Sequence, residues 1–279
     1  MQERTLRREY FDNKLTKLQI ANKYGMGEST VSYYFTKYGI RPLKPYERLD
    51  LPDLTDDQRA FIIGTMLGDA SLEVTHTSIN ARINIEHSSK QRDYVNWKYN
   101  IIEPYVSRSG IWHRTRLLSG KSHDMYGFRT ICHPIFTNMW NIFYDRGVKV
   151  VTNEIANSLS PLSIATWLMD DGGRNGNCVI FCTHSFTPPE IDRLRKVLQY
   201  KYNIYTTKQS AGYRKGSNQK CYVIYVLKKS MNTLYDLVVP HIIPSMMYKI
   251  ETSTQGSPEA TRRTSIVEED MVQARPIGR

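Results

Sequence analysis

SPLSIATWLMDDGGR, residues 160–174, reads as a short helix that ends on two carboxylates. Ser160 is a good N-cap, and Pro161 falls at the first helical position, where its missing N–H costs nothing. Ile164, Ala165, Trp167, Leu168 and Met169 make an apolar run suited to a buried helix. Gly172 and Gly173 are expected to stop it by accepting left-handed geometry. Asp170 and Asp171 then lie at the pole where the helix dipole disfavours negative charge, so an acid buried there requires a compensating cation.

Residues 55–71, TDDQRAFIIGTMLGDAS, carry the same pattern. Thr55-x-x-Gln58 is a capping box, Phe61, Ile62, Ile63, Met66 and Leu67 follow, and the segment closes on Asp69. The two closing acids are 171 − 69 = 102 positions apart. Either segment alone passes for an ordinary core helix with an aspartate in the next turn. The surroundings repeat as well, which argues for a duplicated unit. After Asp69, strand patterns at 71–74 and 81–87 lead to an amphipathic helix over 90–106. Strands at 111–118 and 125–132 follow, and then a helix from Pro134 that ends at Gly147. After Asp171, the order is a strand at 177–184, a helix at 189–200, strands at 204–209 and 221–227, and a helix at 231–239. In ARINIEH, Arg82, Asn84 and Glu86 alternate with Ile83 and Ile85, the signature of a half-buried strand with one polar face.

The chain has 279 residues and a net charge of +11, enough for one sizeable core plus a small extra module. The positive excess points to a polyanionic partner, nucleic acid by default. Residues 251–279 hold four Arg and five acids, a net of 4 − 5 = −1, so the excess lies in residues 1–250. That tail has no periodicity and is expected to be flexible. No apolar run approaches membrane-spanning length, and MQERTLRREYF lacks an apolar leader. The expected setting is intracellular, with bacterial, phage and organelle origins equally open. Cys178-x-x-x-Cys182 has no second pair beside it and falls in a strand pattern, which argues against zinc.

Residues 1–45 have helix-turn-helix spacing. Thr16-x-x-Gln19 opens one helix, Gly25-Met26-Gly27 makes the turn, and Val31 and Phe35 anchor the second helix. The first turns of that helix would present Glu28, Ser29, Thr30, Tyr33 and Tyr34 to a major groove. A small helical bundle for protein contacts is the alternative. Residues 46–54 read as a linker, 55–150 and 151–250 as the two halves of the core. Arg82, Asn84, Arg114, Arg116, Arg129, Lys208 and Lys228 are expected to line concave sheet faces, where Arg and Asn suit guanine and adenine edges. Arg214 and Lys215 fall in a polar loop suited to backbone phosphates.

If the two acid-ended helices pack about a pseudo-two-fold axis, with small Gly64 and Ala165 at the contact, Asp69 and Asp171 emerge together. Two close carboxylates repel unless a divalent cation lies between them, and oxygen donors select a hard ion such as Mg²⁺. Lys149 and Lys249, 249 − 149 = 100 apart, end the two halves and are candidates to steer water or stabilise a phosphorane. This chemistry suits phosphodiester hydrolysis.

IIGTMLGDA and IATWLMDDG resemble the two motifs of the LAGLIDADG homing endonucleases of the single-chain, two-motif, intron type. THSFTPPEIDRLRKVL and VPHIIPSMMYKI also resemble that family's second subdomain, so the likeness spans roughly residues 54–250. It implies an α+β core, αββαββα in each half, with two saddle-shaped antiparallel sheets in the major groove. It implies a monomer that cuts long, specific double-stranded DNA sites across the minor groove, leaving short 3′ overhangs. It assigns Asp69 and Asp171 to the metal, with the carbonyls of Gly68 and Asp170 assisting. Mg²⁺ would serve for cutting, and Mn²⁺ or Ca²⁺ could replace it for binding. Lys149 and Lys249 match the basic positions. Thr166 stands where the second motif has glycine, which implies a slightly wider helix interface. An RNA-binding intron maturase, with host intron RNA as partner, and a non-cleaving DNA-binding regulator are the alternatives on the same fold.

Overall fold

The structure is a computed structural model and describes residues 1–43, 47, 49, 51–74, 78–118, 120–213 and 218–251. The expected tail and the loop holding Arg214 and Lys215 lie outside the described residues, apart from Glu251. Helices α1 (Glu3–Arg7), α2 (Lys17–Lys23) and α3 (Glu28–Lys37) form the N-terminal module. The Thr16–Gln19 capping box is made in both directions, and Gly25, at φ +63°, turns the chain between α2 and α3. Leu6, Tyr10, Ile20, Ala21, Val31, Phe35 and Ile40 bury one another in a cluster separate from the main core.

The remainder is one pattern used twice. The first half runs α4 (Asp56–Leu67), β1 (Ser71–Val74), β2 (Ala81–Ser88), α5 (Arg92–Ile102), β3 (Trp112–Leu118), β4 (Lys121–Arg129) and α6 (Pro134–Phe143). A hairpin, β5 (Tyr144–Asp145) and β6 (Val148–Lys149), and the short α7 (Asn153–Asn157) lead onward. The second half runs α8 (Pro161–Asp171), β7 (Gly172–Asn175), β8 (Cys178–Cys182), α9 (Pro188–Tyr202), β9 (Thr206–Tyr213), β10 (Lys220–Val226) and α10 (Met231–Val238). The two antiparallel sheets have the same order, β1-β2-β4-β3 and β7-β8-β10-β9. That is the α+β LAGLIDADG-type architecture the resemblance implies.

The helices α4 and α8 pack against each other within the main core. A methyl group on Gly64 would lie 2.4 Å from the Ser163 carbonyl oxygen and 2.6 Å from Thr166 Cβ. The close approach of the two helices thus depends on the glycine of the first motif, which faces Ser163 and Thr166 of the second. The Thr166 hydroxyl is satisfied within α8 by donating to the Leu162 carbonyl, 2.8 Å away.

Three local expectations are corrected. Gly172 is extended, at φ −77° and ψ 153°, and it begins strand β7, which the sequence reading omitted. Its lack of a side chain serves close approach, since a Cβ would meet Leu168 Cδ1 at 2.3 Å. Helix α6 stops at Phe143, because Arg146 and Gly147 adopt positive φ and turn the β5–β6 hairpin. That hairpin returns Lys149 towards the end of α4.

Candidate active site and nucleic-acid surface

Asp69 follows the end of α4, and Asp171 is the last residue of α8. Each half brings a lysine to its own motif in the same way. Lys149 Nζ donates to the carbonyls of Gly68 (3.3 Å) and Ala70 (2.9 Å), the residues flanking Asp69. Lys249 Nζ donates to the carbonyls of Asp170 (3.3 Å) and Gly172 (2.7 Å), which flank Asp171. The C-terminal carbonyls, left without partners inside a helix, thus receive cations at the pole where cations are favoured. Burial lowers the Lys149 pKa from its ordinary range, against the opposing pull of Asp171, Asp170 and Asp69.

Asp170, also expected near the metal, has its side chain elsewhere. It points into the core, wholly buried, against Gly68, where any side chain would collide with its Cβ. Its Oδ1 accepts from Lys98 Nζ at 2.5 Å, and its Oδ2 accepts from Thr65 Oγ1 at 2.9 Å and the Asp69 amide at 3.3 Å. Lys98, on α5 and also wholly buried, donates further to Thr65 Oγ1 (2.8 Å) and His87 Nε2 (3.0 Å). Burial alone would raise the Asp170 carboxyl, but Lys98 and then His87 hold it below the usual carboxylate range. Burial, and next the Lys98 charge, push His87 down to about 3, so its ring is neutral.

Sequence reasoning missed Lys98 and His87. The signal was present for the lysine: Lys98 lies four residues after Tyr94 and four before Ile102, on the apolar stripe of α5. A lysine there must find a buried anion. Asp69, His87 and Asp170 each offer a ligand atom within 4.8 Å of the others. The Lys98 ammonium already contacts both Asp170 and His87, so that inner cluster is neutralised by a side chain.

The outer acids are not. The Asp69 side chain is 42% exposed, and its carboxyl is raised first by burial and then by Asp170. Asp171 is pushed up to about 7 by burial, then by Asp69 and Asp170. Among the described residues, no side chain makes an ion pair or hydrogen bond to the Asp171 carboxylate. A recess of about 170 Å³ beside it is lined by Gly68 and Lys149 from the first half and by Asp171, Cys182 and Thr183 from the second. Asp69 raises the Asp171 carboxyl, and two such partly exposed carboxylates fit a hard divalent cation.

The outward face of the first sheet carries Arg82, Asn84, Arg114, Arg116 and Arg129, all on alternating positions of β2, β3 and β4. They are already partnered: Arg82 with Glu73 (3.2 Å), Arg116 with Glu86 (2.9 Å), Arg114 with Glu86, and Arg129 Nε with Asn84 Oδ1 (3.1 Å). The second sheet corrects two expectations. Lys208 pairs across β9–β10 with buried Ile224 and, like Thr206, lies on the core-facing side, where its Nζ meets Asp192 of α9 at 2.6 Å. Lys228 is beyond β10, in a single 3₁₀ turn, so it is off the sheet face. In the N-terminal module, Glu28, Ser29, Thr30 and Tyr33 are exposed on the first turns of α3, and Tyr34 is half-buried, stacked on Tyr38.

The sequence profile of the LAGLIDADG DNA endonuclease family matches residues 59–234, and the chain belongs to that family. Over 200 residues it is 32% identical to cytochrome b mRNA maturase bI2 of Debaryomyces hansenii, covering 71% of this chain and 74% of that one. It is 25% identical over 216 residues to DNA endonuclease I-ChuI of Chlamydomonas applanata, covering 73% and 98%. Its fold is similar to that of the homing endonuclease I-WcaI, solved bound to its DNA recognition sequence. The TM-score is 0.66 at 23% identity, covering 78% of this chain and 97% of that one.

Proposed function

We propose that the chain is a monomeric, site-specific endonuclease that hydrolyses both strands of duplex DNA across the minor groove, leaving short 3′ overhangs. The observation that carries this reading is the repeated arrangement of acid and lysine, Asp69 with Lys149 and Asp171 with Lys249, at the ends of two packed helices. Asp69 and Asp171 would hold Mg²⁺, with the carbonyls of Gly68 and Asp170 beside them. Mn²⁺ or Ca²⁺ would replace it for binding. The bound ion supplies Lewis-acid stabilisation of the charge that develops on the attacked phosphate.

The chain's own residues do the rest. Lys149 and Lys249 place ammonium groups beside the carboxylates, where each can orient a water or meet an equatorial phosphate oxygen. The rows of arginine on the first sheet engage base edges and phosphates by exchanging their carboxylate and amide partners for DNA. Arg214, Lys215 and Lys228 serve as phosphate contacts. Ser29, Thr30, Tyr33 and Tyr34 extend the footprint through α3. The test is incubation with the DNA that flanks the gene's own insertion point, first with Mg²⁺ and then with EDTA. A metal-dependent double-strand cut is the expected result; its absence eliminates the reading.

The maturase among the relatives favours a second reading, in which the same chain also binds intron RNA. Gel-shift competition between intron RNA and target DNA tests it: RNA binding at affinities comparable to DNA supports it, and binding no tighter than to random RNA removes it.

A further inference from the structure

Among the described residues, a buried polar cluster that the proposed chemistry does not use lies beneath Asp69: Lys98, His87, Thr65 and the Asp170 side chain. A lysine has three donors and no acceptor. Lys98 directs its three at Asp170 Oδ1, Thr65 Oγ1 and His87 Nε2. His87 Nε2 must therefore accept, and its one proton is on Nδ1. That nitrogen lies 3.5 Å from Asp69 Oδ2. The chain of contacts fixes the imidazole tautomer from below and leaves its N–H side facing the carboxylate, at contact distance, with Gln91 beside it as a hydrogen-bond partner of the ring.

Among the described residues, the second half has no such device. Two residues after each acid, Ser71 pairs with Asn84, and Gly173 pairs with Ile180. Counting on from these partners, His87 is at 84 + 3, and its counterpart is Thr183 at 180 + 3. Thr183 is buried and donates instead to the Tyr222 carbonyl, at 2.7 Å. Helices α5 and α9 both begin eight residues on, at 84 + 8 = 92 and 180 + 8 = 188. The counterpart of Lys98 (84 + 14) is then Leu194 (180 + 14), a buried core residue.

We propose that His87, oriented by Lys98, is a positioning residue for Asp69: its Nδ1 side faces one carboxylate oxygen at 3.5 Å and leaves the other to the metal, in the first half only. The two acids of the site are thus inequivalent by construction. The inference rests on the proposed metal-dependent function, but its tests do not require cutting.

With histidine labelled with ¹⁵N in the metal-free full-length protein, the ring nitrogens of His87 are assigned by comparison with His87→Gln. The expected spectrum shows a protonated Nδ1 and an unprotonated Nε2. A protonated Nε2 overturns the proposal outright. In Lys98→Met the tautomer is expected to change or become mixed, since Nε2 no longer receives an ammonium proton; an unchanged Nδ1–H signal overturns the role of Lys98. Mn²⁺ binding, read by electron paramagnetic resonance, is expected to weaken about tenfold to a hundredfold in His87→Gln, the usual effect of removing a partner that orients a ligand. Equal Mn²⁺ affinity in wild type and His87→Gln overturns the positioning role. Should His87→Gln fail to fold, the wild-type tautomer decides. If the wild type never cuts DNA yet shows the tautomer and the Mn²⁺ loss, the function fails and the positioning stands.

Discussion

Gly64→Ala puts the helix pair at the heart of the site to a quantitative test. Two effects oppose. Alanine in place of a mid-helix glycine favours the helix by roughly 1 kcal/mol. The added methyl would sit 2.4 Å from the Ser163 carbonyl oxygen and 2.6 Å from Thr166 Cβ, where ordinary contact begins at 3.4 Å. The helices must therefore separate locally by 3.4 − 2.4 = 1.0 Å, and the carbonyl cannot rotate aside as a side chain could. Overpacking of this kind costs about 1–3 kcal/mol, and a backbone obstacle belongs at the upper end. The net loss is about 2 kcal/mol, which for a core of this size is a fall of roughly 4–8 °C in melting temperature. The same separation moves Asp69 away from Asp171, and misplacement by about 1 Å can cost on the order of a hundredfold in rate. Thermal melts and single-turnover DNA cutting at saturating protein read the two effects. Adding Thr166→Gly should recover only part of the loss, because the Ser163 contact stays. A Gly64→Ala protein that melts within about 2 °C of wild type and cuts at its rate would show that the helices do not need this approach.

Asp171→Asn is expected to abolish Mg²⁺-dependent cutting while leaving DNA affinity within a few-fold, measured by gel shift; lost affinity would make the residue structural. Because the metal-free Asp171 carboxyl is raised to about 7, protons compete with the cation. Apparent metal affinity should fall about tenfold per pH unit below that point and level off above it, by calorimetric titration. A raised carboxyl binds its proton more tightly folded than unfolded. Metal-free stability should thus decline as pH rises from about 4 through 7, and Mg²⁺ should reverse the decline in thermal melts. Removing residues 1–43, whose buried cluster is separate from the core, should weaken DNA binding without slowing cutting at saturating protein. A loss of cutting there would place the module inside the active fold.

Much of this was legible before any coordinates. The capping boxes at Thr55 and Thr16, the apolar runs that close on Asp69 and Asp171, and the alternation in ARINIEH are local signals, and the fold obeys them. The lysines at 149 and 249 stand out by their shared offset, and the family resemblance marks the same two positions. The failures were of direction and of distance. TTKQ alternates too weakly to say which face meets the core, so Lys208 was placed on the wrong side of β9. Gly172 ends α8 as its residue type implies, but in extended rather than left-handed geometry, because it pairs with Phe181 across β7–β8, a partner no local pattern reveals. The sequence shows that an acid buried at the end of α8 requires a cation, but not which one serves Asp170; its partners are at positions 98 and 65, more than seventy residues away.

The buried ion pair also bears on ancestry. Its lysine comes from the first half and its acid from the second, and the matching places are filled by Leu194 and Gly68. Two copies of the first half, joined as a homodimer, would bring together two buried ammoniums with no acid between them. Two copies of the second would bury a pair of unneutralised carboxylates. Whatever symmetric ancestor gave rise to the repeat, divergence at these four positions has made each half the obligate complement of the other, so neither can return to life as a self-pairing subunit.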